Sequence, residues 1–210
     1  MEGVRLGEAA GKLHYTWDDY RSWDDDARWE ILGGEVYAMT PAPAIRHQRV
    51  LVTLCSRLEQ HFRGRPCDVF AAPTDVRLSD DDVVQPDILV VCDPDRIKPT
   101  HIEGAPTLVV EILSPSTAAF DRSRKMALYA RSGIKEVWLV TPYPWLVEVF
   151  LLDGAGYRLI CAYQKEEILS SPTFPDLGIT LAEIFDYPIP PEEQVEMVKE
   201  GRPPYGSKTD

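Results

Sequence analysis

Apolar and polar positions along this chain follow two different periods, and the places where the period changes mark its elements. From Ile45 to about Phe62 the stripe His47, Leu51, Leu54, Leu58, Phe62 recurs every three or four residues, which predicts an amphipathic helix stopped by Gly64 and Pro66. Upstream, Thr16 before Trp17-Asp18-Asp19-Tyr20 has the form of an N-cap with acids in the first turn, and predicts a short helix to about Trp23. In WEILGGEVYAMTP two β-type runs flank Gly33-Gly34, the pattern of a hairpin. After the long helix come three strand candidates, residues 69–78, 83–92 and 107–113, separated by the acidic turn 79–82 and the polar segment 93–105. SPST leads into a helix from about Asp121 to Ser132 that Gly133 ends. EVWLVTP is a further strand, and WLVEVFLLDGAGYRLICAY reads as a β-hairpin around Asp153-Gly154. FPDLGITLAEIF is a short terminal element.

This order predicts an α/β (α+β) fold: a mixed β-sheet flanked by helices, with an N-terminal hairpin and a C-terminal β-hairpin extension. A single domain is expected over residues 14–187, with 1–13 and 188–210 as flexible termini. The chain has 210 residues, 44% of them hydrophobic, so one substantial core is within reach. Its 22 basic and 34 acidic residues give a net charge of -12, which argues against a protein that coats nucleic acid or lies on a membrane surface. An enzyme that meets DNA at one local basic patch stays compatible with that charge. Cys55, Cys67, Cys92 and Cys161 form no C-x-x-C pair, so reduced thiols in a cytoplasm are the expectation, with no zinc site and no disulfide framework. No apolar run approaches the ~18 residues of a membrane span, and MEGVRLGEAAGKL has no apolar leader segment. A soluble cytoplasmic protein is expected.

The candidate chemistry lies in charges placed inside apolar runs. Glu111 ends the run Leu108-Val109-Val110, and Asp87 stands in DVVQPDILVVC, where Pro86 removes a ladder N–H and signals a bulge or an edge. By strand alternation Asp87 shares a face with Gln85 and Leu89. Two such acids on neighbouring strands repel unless a cation lies between them. A hard divalent ion suits carboxylate oxygens and can activate water for attack on an ester. Asp121 and Lys125 are four residues apart on one helical face, so Lys125 can project toward the acids while Asp121 holds it. An ammonium there would stabilise negative charge developing on a phosphate.

These residues also carry a resemblance. WEILGGEVYAMTPAPAIRHQ, DVVQPDILVV, LVVEILSPSTAAFDRSRKMALYARSGIKEVWLVTP and FPDLGITLAEIF together resemble the Uma-two family of restriction-endonuclease-like proteins, within the PD-(D/E)XK nuclease superfamily, over residues 14–186. The resemblance implies a restriction endonuclease-like fold, with Pro86-Asp87 as the PD element and Glu111 as the (D/E) element. The lysine usual two residues after the glutamate is absent, since Leu113 stands there, and Lys125 on the following helix matches its migrated counterpart. It further implies Mg2+, or Mn2+ in its place, bound by Asp87 and Glu111, DNA as substrate and a homodimer.

Other residues have competing readings. Glu35 resembles the family's Gly-Glu element, yet it flanks a turn, where glutamates are commonly exposed. His47 is either directed at the site or a hydrogen-bonded structural histidine. Gln85 could touch a phosphate or water, Ser114 and Ser116 shape the turn before the helix, and Arg122 and Arg124 could contact a phosphate backbone. The leading expectation is a metal-dependent endonuclease with Asp87, Glu111 and Lys125 as its catalytic set. Two rivals stay open: a non-catalytic nucleic-acid- or protein-binding module, which the charge of -12 favours, and a hydrolase of a small phosphoester.

Overall fold

The computed structural model describes residues 13–23, 27–39, 44–114 and 118–187. The expected flexible termini, apart from Leu13, and Ser116 lie outside these residues. The elements run α1 (Trp17–Tyr20), β1 (Trp29–Leu32), β2 (Glu35–Ala38), α2 (Ile45–Phe62), β3 (Asp68–Ala71), β4 (Val76–Ser79), β5 (Asp82–Val84), β6 (Ile88–Val91), β7 (Ile102–Glu103) and β8 (Leu108–Ile112). Next comes a helix in three parts: α3 (Ala118–Phe120), a π-helical turn (Asp121–Lys125) and α4 (Met126–Ser132). The chain continues as β9 (Glu136–Thr141), β10 (Leu146–Asp153), β11 (Gly156–Gln164), β12 (Ile168–Ser170), β13 (Gly178–Thr180) and α5 (Leu181–Ile184).

Six strands form the central sheet in the order β11-β10-β9-β8-β6-β3. It is mixed: β8 and β9 are parallel and the other pairs antiparallel. A second, five-stranded sheet has the order β2-β1-β5-β4-β7, and β12 and β13 form a small ribbon. The fold class is thus as expected, with two corrections of detail. The predicted strands 69–78 and 83–92 are each two strands. β3 and β6 pair in the large sheet, whereas β4 and β5 pair in the smaller one. The chain changes sheets near Pro73 and Pro86, residues that cannot donate to a ladder and so end one pairing before the next begins.

The second correction concerns the cysteines. Cys67 and Cys92 are joined in a disulfide, against the expectation of four reduced thiols. The β3–β6 register pairs Asp68 with Val91, so the residues one step outside that pair face each other, with Cα atoms 4.0 Å apart. Cys55 and Cys161 are free.

Burial follows the two periods. Leu54, Leu58 and Phe62 of α2 pack with Ile88, Val90, Val110 and Trp138 on one face of the large sheet. On the other face Leu89, Val109, Val137 and Leu139 meet Leu128 and Tyr129 of α4, together with Leu32, Val76 and Val84 of the smaller sheet. Tyr15, Trp17, Ile31 and Val83 form a third cluster on the smaller sheet. The hairpin turn at Gly33-Gly34 has both residues at positive φ, 59° and 81°, which only glycine adopts without strain. At Gly34 a Cβ would also strike the His14 ring. Among the described residues, no helix is long and apolar enough to cross a membrane.

Candidate active site

Strand β8 is fully buried along its length, and alternation turns Glu111, with Val109 and Leu113, toward the face covered by the three-part helix. That helix presents Asp121, Lys125 and Tyr129 on one side. The Lys125 Nζ lies 3.2 Å from Glu111 Oε1, 2.9 Å from Glu30 Oε1 and 3.7 Å from Asp121 Oδ1. The Tyr129 hydroxyl donates to the same Glu111 oxygen. All four charged groups are buried, between 4% and 5% exposed. The π-helical turn runs from Asp121 to Lys125, with the amide of Met126 bonded back to the carbonyl of Asp121. Such turns recur at functional sites because the wider spiral re-aims the side chains it carries.

Asp87 arrives from the neighbouring strand. Ile88 pairs with Val110 in the β6–β8 register, so Asp87 stands beside Glu111 at the end of the sheet. Its Oδ2 accepts from the Ile112 amide at 2.7 Å and lies 3.3 Å from His47 Nε2. Through that contact the first turn of α2, on the opposite face of the sheet, meets the acids at the sheet's edge. The His47 Nδ1 is buried and has no hydrogen-bond partner among the described residues.

The expected triad Asp87, Glu111 and Lys125 is therefore brought together around one cavity of about 800 Å3, which His47, Gln85 and Asp121 also line. Gln85 reaches it by a route other than unbroken strand alternation. Its side-chain amide donates to Asp75 Oδ1 at 2.8 Å and Tyr20 Oη at 3.0 Å, and its carbonyl accepts from Arg28 Nε at 2.8 Å. Gln85 is thus held in a polar network behind the acids. Glu35 is not brought to the cavity: it is exposed, accepts from the Tyr37 hydroxyl and pairs with Arg124 at 3.2 Å. Arg122 pairs with Glu148.

The carboxylate that sequence reasoning missed is Glu30. It sits in the fully buried strand β1, takes the Gln85 amide at 3.0 Å and makes the shortest of the three contacts to Lys125. The same signal that singled out Glu111, an acid inside the apolar run Trp29-Glu30-Ile31-Leu32, was present there. Tyr129 was legible as well, four residues beyond Lys125 on the same helical face.

The electrostatics follow from burying three carboxylates around one ammonium. Burial pushes the Glu111 carboxyl up to about 8, and Asp121, Asp87 and Glu30 push in the same direction while Lys125 opposes them. For Lys125 burial acts downward, but Glu111, Glu30 and Asp121 outweigh it and hold the amine above its ordinary value. Lys125 is therefore a permanent ammonium and a poor base. Burial and the adjacent Glu111 raise the Tyr129 phenol well above its usual value, so it stays a hydrogen-bond donor. The acids outnumber the buried cation, and every donor is a hard oxygen, which is the chemistry that suits a hard divalent cation. Among the described residues, no group of three or more His, Cys, Asp or Glu side chains has metal-binding geometry. Mg2+ commonly takes only one or two carboxylates and fills its shell with water and substrate phosphates, so this donor set fits it.

Comparison with known proteins gives the fold a family. Residues 17–182 match the model of the Uma2 family, described as "Putative restriction endonuclease". The chain belongs to the Uma2 family. Similar proteins include the uncharacterized protein slr1290 of Synechocystis sp., 30% identical over 156 residues that cover 72% of this chain and 82% of that protein. The uncharacterized protein sll1609 of the same organism is 27% identical over 141 residues, covering 65% of this chain and 71% of its own. A solved structure, that of a "putative nuclease belonging to DUF820" from Anabaena variabilis, superposes with a TM-score of 0.66 at 19% identity. It covers 81% of this chain and 97% of the other, and the two share a fold. The family match supports a nuclease-like function.

Proposed function

We propose that this protein is a metal-dependent nuclease that hydrolyses phosphodiester bonds in DNA at the cavity where Asp87, Glu111 and Lys125 meet. The observation that carries the reading is the placement of Lys125, buried and charged, 3.2 Å from Glu111 at the sheet end that Asp87 also reaches. Asp87 and Glu111 are the residues that would hold Mg2+, or Mn2+. When bound, that cation supplies charge neutralisation at the phosphate and acidifies the attacking water.

The chain's own residues divide the remaining work. Asp87 lines the cavity and is held there by the Ile112 amide on its Oδ2. Glu30 and Asp121 hold the Lys125 ammonium in place, and its charge stabilises the oxygens of the phosphorane-like transition state. Because the three acids keep Lys125 protonated, it acts as a fixed charge and not as a proton acceptor. This role is the one that a lysine two residues after Glu111 would fill from the strand, and Leu113 there is buried and apolar.

The test pairs cleavage with binding. Plasmid, linear duplex and single-stranded DNA are incubated with Mg2+ or Mn2+, alongside a panel of small phosphoesters, and Mn2+ binding is followed by calorimetry. Cleavage of DNA that is lost, together with Mn2+ binding, in both Asp87→Asn and Glu111→Gln is the expected result. Mn2+ binding undiminished in both variants would remove the metal assignment.

A further inference from the structure

The cavity is lined by more than charge. The lining also holds two aromatic rings, Tyr37 from β2 and Phe120 from the last position of α3, with centroids 4.9 Å apart and planes at 54°. Both are half-buried and packed from behind against the core cluster under α4. The Tyr37 ring is further fixed: its hydroxyl donates to Glu35, and the Arg124 guanidinium lies 5.5 Å from its centroid. Phe120 immediately precedes Asp121, so an aromatic face and the acid cluster open into the same space from consecutive residues.

We infer that this cavity receives a nucleotide whose base lies outside a duplex stack, and that the substrate class of the site is single-stranded or frayed DNA. The inference rests on the phosphodiesterase reading above. Two observations and one general property of the duplex carry it. A volume of about 800 Å3 falls within the ~300–1,000 Å3 of pockets that enclose a small molecule, which suits one nucleotide. An aromatic wall beside a phosphate-reactive cluster is the arrangement that stacks an unpaired base while the backbone is held. Base faces in a duplex are hidden by their neighbours and reach such a wall only after extrusion.

Charge points the same way. Duplex binding draws its affinity from many Lys and Arg contacts to phosphates. Here the net charge is -12, and Arg122 and Arg124, the arginines beside the cavity on its helix, are engaged by Glu148 and Glu35. Arg28, on the cavity lining, is bonded to Gln85. Arg46 and Lys125 also line the cavity, enough to hold one phosphate, and contact with the base adds to the affinity they supply.

The experiment separates this inference from the nuclease reading by measuring binding and cleavage apart. Full-length protein in Ca2+ is titrated by fluorescence anisotropy against a labelled 12-nucleotide single strand, the corresponding duplex, and a 12-nucleotide chain of abasic residues. Cleavage of each is followed separately in Mg2+. The single strand is expected to bind at least about tenfold tighter than the duplex, and loss of the bases to weaken it about 5- to 100-fold, the span of base–aromatic stacking. In Phe120→Ala the difference between the base-bearing and abasic strands should shrink toward unity; Phe120→Leu, which keeps apolar packing, should shrink it likewise and controls for misfolding. Duplex bound as tightly as single strand, an abasic chain bound as tightly as its parent, or no binding of any strand would overturn the inference. Failure of all three to be cleaved sinks the nuclease reading while the binding contrast still decides this one.

Discussion

Replacing Glu111 by Gln changes one oxygen for an NH2 in the most crowded part of the site, and should make the metal-free protein more stable in a pH-dependent way. A carboxyl held at about 8 instead of 4.5 sets a ceiling of about 5 kcal/mol on what the ionised group costs the fold, at about 1.4 kcal/mol per tenfold change in proton affinity. Gln keeps an oxygen to accept from the Tyr129 hydroxyl. It also leaves Lys125 with Glu30 at 2.9 Å and Asp121 at 3.7 Å, so the ammonium is not stranded. The value of about 8 already includes the opposing attraction of Lys125; relaxation and water penetration around a buried charge reduce the ceiling further, and a net gain of about 1–2 kcal/mol is expected.

The direction follows from linkage. Glu111 binds its proton more tightly folded than unfolded, so the wild type loses stability as pH rises from about 4.5 to about 8 and then levels off. The variant has no such group, and its advantage should be absent near pH 4.5, grow through that window and be constant above pH 8. Thermal denaturation in EDTA from pH 4.5 to 9 measures it, with a shift of about 3–6 °C expected at pH 8 for a domain of this size. A midpoint below that of wild type throughout, or a difference that ignores pH, would refute the reasoning and make Glu111 a structural partner of Lys125.

Further outcomes are expected. Mg2+ should raise the wild-type midpoint more at pH 9 than at pH 6, because the Glu111 proton must leave before the carboxylate can bind; equal shifts at both would argue for another site. Lys125→Ala should lower stability by about 3–5 kcal/mol at neutral pH, since three buried acids lose their cation, and should cut DNA cleavage about 10²-fold or more under conditions where circular dichroism shows it folded. Adding Leu113→Lys to it, which restores an ammonium at the strand position, should recover part of that rate; wild-type activity in Lys125→Ala alone would end the migrated-lysine proposal. Thiol titration of denatured protein should find two reactive cysteines before reduction and four after it, and Cys92→Ser, which opens a loop closed across 25 residues, should cost about 3 kcal/mol in urea denaturation.

The candidate site was legible where a charge interrupts an apolar run, because burial leaves few reasons for an acid to be there. Asp87 and Glu111 stood out for that reason, and Lys125 through its helical spacing from Asp121. Glu30 carried the same signal, but the hairpin drew attention to Glu35, five residues on, which the structure places in the solvent beside Tyr37 and Arg124. Periodicity located nearly every element, yet it cannot show which sheet a strand joins. Residues 69–78 and 83–92 therefore read as two strands although each contributes to both sheets. Pro86 signalled a bulge or an edge without saying what lay beyond it, and Pro73 was passed over. The Cys67–Cys92 bond was out of reach for a related cause: it depends on the β3–β6 register, a tertiary fact that local pattern does not contain.

Lys125 touches Glu30 on the five-stranded sheet and Glu111 on the six-stranded one, so a single side chain adds an ionic rivet between two layers that apolar packing also holds together. On the role proposed for Lys125, engaging a phosphate and clamping the layers would draw on the same three N–H bonds of one ammonium. Any displacement of Lys125 toward a bound anion slackens the seam between the sheets, and any force that parts the sheets drags the charge away from the reaction centre. Occupancy of the cavity and the mechanical stiffness of the molecule are in this sense one variable, to be read as amide exchange in β1 that rises when an anion is bound and falls when it leaves.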